Sequence, residues 1–267
     1  MAALKHFLLR AFITLLFLAV PVLGVWTFVE AKDWHLWFPE TISSYGGDID
    51  WLFYVILWMV TVTFIATELL LVWFVFRYSR RDATRATYTH GNHTLEMVWT
   101  AIPAVLLIVV AFSQMRAWTE VKIHFPDQGP YTVQKPLMEI YASQFDWRVR
   151  YPDAQGNFEG PDVIEVPYDI TVPVDTQVVF RLKSRDVLHS FFVPVFRLKQ
   201  DAVPGMAIPV WFEAKKTGDY DLICAELCGW GHYKMAGRVK VVPRAAYEDW
   251  MKKMQKDLAS NGKEDKS

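Results

Sequence analysis

The chain has 267 residues, 52% of them hydrophobic and 21% charged. That is too apolar for an ordinary soluble protein of this size and too charged for one sunk wholly in lipid, so membrane and water-exposed parts are both expected. A formal net charge of −1 argues against a nucleic-acid binder, which needs a basic surface to neutralise phosphates.

In chain order, an apolar stretch from Phe12 to Phe28 follows Lys5 and Arg10. Secretory signals and first membrane helices share that layout, and no small-residue cleavage site is obvious after it. Residues 1–50 therefore read as an N-terminal apolar segment, a membrane helix or a signal, followed by an external loop. Two further apolar stretches, Trp51 to Phe76 and Met97 to Met115, approach the ~20 residues that span a bilayer, which makes 51–117 a transmembrane helical hairpin. Between them Arg77, Arg80, Arg81 and Arg85 stand against the single acid Asp82, and a basic short loop marks the cytoplasmic side. The polypeptide after Met115 is then extracytoplasmic. Glu68 is ionisable inside an apolar stretch, and such residues face a protein partner or a wet cavity rather than lipid.

After Arg116 the pattern changes to short alternating runs punctuated by Pro and Gly. Met138–Tyr151, Val163–Val166, Val178–Leu182, Ala207–Glu213, Tyr220–Ile223 and Gly237–Val242 read as strands, and strands at that spacing predict a small all-β sandwich or barrel over 118–243. Residues 244–267 are expected to hold a helix near Ala246–Leu258 and a disordered polar tail, Ser260–Ser267.

The chemistry concentrates in Cys224-Ala-Glu226-Leu-Cys228-Gly-Trp-Gly-His232-Tyr-Lys-Met235, with His189 upstream. Cys228, His232, Met235 and His189 are the ligand types of a mononuclear blue-copper site. Cys224 adds a second thiolate on the same loop, and two thiolates can bridge two coppers. Each metal then has two sulfurs and one imidazole, with Met235 as weak axial ligand to one and the Glu226 backbone carbonyl to the other. Two rivals stand beside this. A disulfide suits two extracytoplasmic cysteines but leaves the histidines and Met235 unexplained. A tetrahedral zinc site suits two Cys and two His, yet has no use for Met235. His35, His90, His93 and His124 read as solvated loop residues.

Cys-x-Glu-x-Cys-x-x-x-His-x-x-Met, preceded by Asp186-Val-Leu-His189-Ser-Phe, resembles the dinuclear copper-A motif of cytochrome oxidase subunit II of the haem–copper oxidases, and Leu95-Glu96-Met-Val-Trp99 is similar to the start of that family's last membrane helix. The resemblance implies N-terminal transmembrane helices followed by an extracytoplasmic cupredoxin domain. It implies a copper pair held by His189, Cys224, Glu226, Cys228, His232 and Met235, taking electrons from cytochrome c and passing them to haem in subunit I for oxygen reduction coupled to proton pumping. It also implies that the Glu226 carboxylate binds a magnesium ion shared with subunit I, and that Glu96 lies at the entrance of a proton path. An acid stabilising a helix N-terminus is an equal account of Glu96, and the two do not exclude each other.

Electron uptake is where the sequence departs from the family. Many relatives carry an exposed tryptophan two residues before another, whereas Gln144-Phe145-Asp146-Trp147-Arg148-Val149-Arg150-Tyr151 has Phe145 at the first position. Phe145, Trp147 and Tyr151 are the aromatic candidates for electron uptake, and Asp146 and Asp186 those for docking a donor. Arg148 and Arg150 weaken the acidic surface that steers a basic cytochrome, so a membrane-bound cytochrome donor such as an alternative complex III is the other expected partner, besides subunit I and further oxidase subunits. A prokaryotic plasma membrane is expected rather than a mitochondrial one. The copper-A subunit of another haem–copper reductase, such as a nitric oxide reductase, is the alternative. Quinol-oxidising relatives lack the copper ligands, and no Cys-x-x-Cys-His for covalent haem occurs here.

Overall fold

The computed structural model describes residues 2–31, 33–34, 36–78, 88–153 and 155–264. Arg80, Arg81, Asp82 and Arg85 of the basic loop, His35 and the last three residues of the polar tail lie outside the described residues.

Three apolar helices come first: α1 (Ala2–Glu30), α2 (Gly46–Tyr78) and α3 (His93–Lys122). By length and composition each can cross a membrane, and at 1.5 Å per residue α2 and α3 are each roughly 45–50 Å long, more than a hydrocarbon core needs. Their large apolar side chains stay exposed within the chain, among them Trp58, Trp73, Leu107 and Phe112. Such surface is stable in lipid or against another membrane subunit. Arg10 of α1 donates to the Phe76 carbonyl of α2 and lies over its ring. The basic start of α1 and the Arg77 end of α2 are thereby at the same end of the pair, as the charge asymmetry requires if both are membrane helices. Glu68 is half-buried on α2.

The second compact unit comprises residues 39–49 and 116–267. Its ten strands are β1 (Met138–Ser143), β2 (Asp146–Tyr151), β3 (Ile164–Pro167), β4 (Asp169–Pro173), β5 (Gln177–Ser184), β6 (His189–Val193), β7 (Leu198–Ala202), β8 (Ile208–Glu213), β9 (Gly218–Cys224) and β10 (Ala236–Val242). They form two five-stranded sheets, ordered β3-β2-β1-β5-β8 and β4-β10-β9-β6-β7. Alternation drives the packing: Trp147, Val149 and Tyr151 are fully buried while Arg148 and Arg150 face out. Between the sheets Trp147, Phe180, Phe191, Phe196 and Phe212 fill the core, with Phe180 and Phe191 5.2 Å apart and Phe196 stacked on Phe212 at 4.6 Å.

Four features differ from the sequence expectation. The run Met138–Tyr151 is a hairpin that turns at Gln144 and Phe145. Strands β4, β6 and β7 add to the six expected, two of them beside prolines and β6 too buried to alternate. Residues 39–49, expected as an external loop, are built into the β unit: Ser43 bridges to Ala214, the Ser43 hydroxyl donates to the Phe196 carbonyl, and Ile42 and Tyr45 are buried. Helix α4 (Arg244–Glu264) outruns the expected 246–258 and lays Trp250 against Tyr151, ring centroids 5.1 Å apart.

The outer face of the first sheet is basic. Glu139, 3% exposed at its side chain, accepts from Lys183 at 2.8 Å, from Arg181 at 3.3 Å and from Tyr141 at 2.7 Å. Burial works against its charge, but these donors outweigh it and hold its pKa below the ordinary value. Such a carboxylate stabilises the fold above the ordinary carboxylate range, and that contribution is lost as pH falls through the lower folded value. Glu139→Gln should therefore lower the unfolding free energy of the β unit by about 1–3 kcal/mol at pH 7. Its deficit against the native chain should shrink below about pH 4. Chemical unfolding followed by tryptophan fluorescence measures both, and equal stability at pH 7 would contradict it.

Candidate metal centre

Three loops and two strands meet at one end of the sandwich. Strand β6 begins with His189, which is fully buried, and pairs with β9 at Phe191 and Cys224. The loop after β9 carries Glu226 and Cys228, a short turn of 3₁₀ helix carries His232, and Met235 precedes β10. Ladder pairing thus fixes Cys224 against the strand that begins at His189. The Cys224 amide donates to the Met235 carbonyl at 3.1 Å, closing the loop on itself.

Both cysteines are free and buried, with their sulfurs 3.9 Å apart. That is far beyond the ~2.05 Å of a disulfide and close enough for one metal to bond both at ~2.3 Å. Around them, Nδ1 of His189 lies 4.0 Å from Cys224 Sγ and 3.1 Å from Met235 Sδ. Nδ1 of His232 lies 3.6 Å from Cys228 Sγ, and Met235 Sδ 3.8 Å from the same sulfur. The Glu226 carbonyl oxygen is 3.2 Å from Cys224 Sγ. The donor atoms of His189, Cys224 and Cys228 lie within 4.8 Å of one another, a grouping that could hold a metal ion. The thioether is drawn into the same cluster, as soft copper sites use it and structural zinc sites do not.

Electrostatics prepare the sulfurs unequally. Burial favours a neutral Cys224, but the adjacent His189 ring outweighs it and pulls the thiol down to about 6. Cys228 is pushed up to about 11 by burial and by the charge on Cys224. Behind His189, Nε2 is 2.8 Å from Asp186 Oδ1. The same carboxylate accepts the amides of Gln144 and Val187, each at 2.7 Å. Partial burial opposes that charge, yet the imidazole and the two amides hold Asp186 below the ordinary carboxylate range. An Nε2–H given to Asp186 leaves the Nδ1 lone pair aimed at the sulfurs.

The family profile described as "Cytochrome C oxidase subunit II, periplasmic domain" matches residues 142–242, and the companion transmembrane-domain profile matches 31–116. Cytochrome c oxidase subunit 2 of Cereibacter sphaeroides is 32% identical over 246 residues, covering 80% of this chain and 78% of that protein. The chain belongs to the cytochrome c oxidase subunit II family. Subunit 2 of Thermostichus vulcanus is 31% identical and covers 83% of this chain and 79% of that protein. A crystal structure of the periplasmic domain of the Bradyrhizobium japonicum subunit II is 27% identical, with a TM-score of 0.41 over 45% of this chain and 94% of that one. Subunit II is the copper-A binding subunit of this family, and the His–Cys–Cys cluster is consistent with copper.

The remaining candidates of this subunit II chain are not all where the sequence suggested. Trp147 and Tyr151 are fully buried, so neither offers a ring to a docking protein. Trp147 packs beside His189 and Phe191, at 6.4 and 5.7 Å between centroids, and Tyr151 exchanges hydrogen bonds with Thr171 through its hydroxyl. Phe145 is half-buried at the loop. Asp146 is bound to Arg148 at 3.0 Å, and Asp186 is committed to His189, so both expected docking acids are engaged internally. Glu96 stands exposed in the first turn of α3, where Asn92 caps the Leu95 amide. Among the described residues three features escaped the sequence reading: Asp186 as the partner of His189, the Gln144 amide donating to the Cys228 carbonyl, and Trp230, which is 80% exposed. Of these only the Asp-x-x-His spacing left a trace in the sequence.

Proposed function

We propose that this chain is the electron-accepting subunit of a membrane cytochrome c oxidase, with two copper ions held by His189, Cys224, the Glu226 carbonyl, Cys228, His232 and Met235. The observation that carries the reading is the convergence of two unbonded thiols, two imidazole Nδ1 atoms and a thioether in one pocket. When bound, the copper pair supplies one-electron transfer between a donor outside the membrane and haem in subunit I, where oxygen is reduced and protons are pumped.

The chain's own residues supply the rest. Cys224 and Cys228 offer thiolates from a loop tied at both ends to β9 and β10, so the sulfurs need no rearrangement to bind. Asp186 selects the His189 tautomer that presents Nδ1. Trp147 and Phe191 keep water from the back of the pocket. The half-buried Glu226 offers its carboxylate to a magnesium ion shared with subunit I, Glu96 serves the entrance of a proton path, and Glu68 packs against subunit I. Further oxidase subunits, and cytochrome c or a membrane-bound cytochrome donor such as an alternative complex III, complete the partners. The site is a prokaryotic plasma membrane with the β unit extracytoplasmic. Relatives that are cytochrome c oxidase subunits favour an oxidase over a nitric oxide reductase.

The test is metal content and spin resonance of the full-length, copper-loaded chain. Two coppers per chain and the seven-line hyperfine pattern of one electron shared by two spin-three-halves nuclei are expected. Zinc alone, or a solitary cupric ion, overturns the reading.

A further inference from the structure

The loop that brings Cys228 and His232 to the pocket turns its other residues outward. Leu227 is 76% exposed, Trp230 80% and Tyr233 77%, three large apolar groups within seven consecutive residues. Isolated apolar side chains on a surface need no explanation, but a contiguous group of them marks an interaction site.

This patch is rigidly held. Trp230 lies between Gly229 and Gly231, and Phe145 covers both glycines: a Cβ at Gly231 would come within 2.5 Å of Phe145 Cδ2, and one at Gly229 within 3.2 Å of Cε1. Trp230 meets the Phe145 ring edge-on at 5.1 Å, and the Gln144 side chain clamps the loop at the Cys228 carbonyl. Lys234 sits by both exposed rings, 5.7 Å from Trp230 and 5.4 Å from Tyr233. An ordered aromatic two residues from each of two pocket residues is costly to leave in water and resembles the anchors of protein interfaces.

The sheet face that leads to the Phe145 turn has a definite sign of charge. Phe145 ends the hairpin whose outer face carries Arg148 and Arg150, and Arg185 adjoins Asp186. Together with Arg181 and Lys183 these are five cations against three carboxylates, Glu139, Asp146 and Glu165, that pair with them. Three of the cations crowd the Tyr141 ring at 4.8–5.2 Å. Asp146 and Asp186 are already bonded within the chain, and the half-buried Glu226, next to Leu227 in the same loop, is the carboxylate assigned above to magnesium.

We infer that the electron-donating protein docks on Trp230, with Leu227 and Tyr233 beside it, through an apolar patch bordered by acidic side chains. The inference rests on the proposed electron-accepting role and fixes the chemistry of its partner: the basic rim of this chain selects an acidic donor surface rather than a lysine-rich one.

The test uses the intact membrane oxidase and two probes of one fold and opposite charge, a lysine-rich cytochrome c and the same cytochrome after succinylation of its lysines, compared at equal driving force. The succinylated form is expected to bind more tightly in surface plasmon resonance and to be oxidised about tenfold faster at low ionic strength, with that advantage fading as salt is added. Trp230→Leu is expected to slow the succinylated probe by about tenfold, while the copper resonance spectrum and the rate with hexaammineruthenium(II) stay native. Lys234→Glu, on the exposed rim, should weaken binding of the succinylated form and strengthen that of the lysine-rich form. It decides the matter if Trp230→Leu disturbs the metal spectrum. Preference for the lysine-rich form, or unchanged rates and binding in both variants, overturns the inference. Failure of the underlying electron-accepting role is recognised separately, by a native chain that lacks the paired-copper signal before any donor is added.

Discussion

Replacing Cys224 by serine should remove one of two coppers and replace the delocalised spectrum with, at most, a mononuclear one. The two sulfurs stand 3.9 Å apart as unbonded thiols, and as soft thiolates both can be shared by two coppers. A serine hydroxyl is neutral at pH 7 and hard, so it bridges nothing. What survives is Cys228 with His232 Nδ1 at 3.6 Å, Met235 Sδ at 3.8 Å, and His189 beyond the thioether. That is one thiolate, two imidazoles and a thioether, the ligand set of a single blue-copper ion. Cys228→Ser should be more severe, because Cys228 is the sulfur that lies against both His232, at 3.6 Å, and Met235, at 3.8 Å. Metal analysis and spin resonance on the two variants read the difference directly. A delocalised hyperfine pattern that persists in Cys224→Ser would refute the bridging role.

Much of the fold and of the proposed site was legible in the sequence because its signals are local. Six donor groups fall in two short segments, and their residue types at that spacing already name a soft-metal site. Three apolar runs of bilayer length need no tertiary information either. What could not be read depends on contacts between distant residues. Residues 39–49 look like a loop, and only the bridge from Ser43 to Ala214 makes them part of the sandwich. Strand β7, Leu-Lys-Gln-Asp-Ala, is too polar to announce itself and exists because β6 pairs with it from His189 through Val193. The aromatic candidates are a different case. Alternation from Asp146 to Tyr151 puts Trp147 and Tyr151 on the same face as Val149, the core face, and period-2 reasoning alone disfavours them as exposed electron acceptors. Trp230 gave no such cue, since a tryptophan between two glycines in a loop is exposed or buried according to what fills the space beside the glycines, and that is Phe145 from the far hairpin.

Asp186→Asn is the second large effect expected, and it separates a docking acid from a positioning residue. The carboxylate has three donors converging on it: His189 Nε2 and the Val187 amide on Oδ1, and the Gln144 amide on Oδ2. An asparagine of the same shape has one acceptor and one NH2, so either orientation points that NH2 at an N–H. If it faces His189, the imidazole relieves the clash by moving its proton to Nδ1, the atom that faces Met235 and Cys224, and the lone pair needed for a metal is gone. If it faces Gln144, the hairpin turn beneath Phe145 is pushed away. Loss of such a partner to a metal-binding histidine costs about 10–100-fold in metal affinity, and Asp186→Ala, whose smaller side chain leaves room for a water to accept from Nε2, should lose no more than Asp186→Asn. Copper competition against a chelator gives the affinities, and the hyperfine pattern reports whether His189 still binds. A residue that merely attracted a donor protein would leave both untouched and alter only the salt dependence of reduction. Native copper affinity and a native spectrum in Asp186→Asn would therefore return this carboxylate to the surface role that its sequence position suggested.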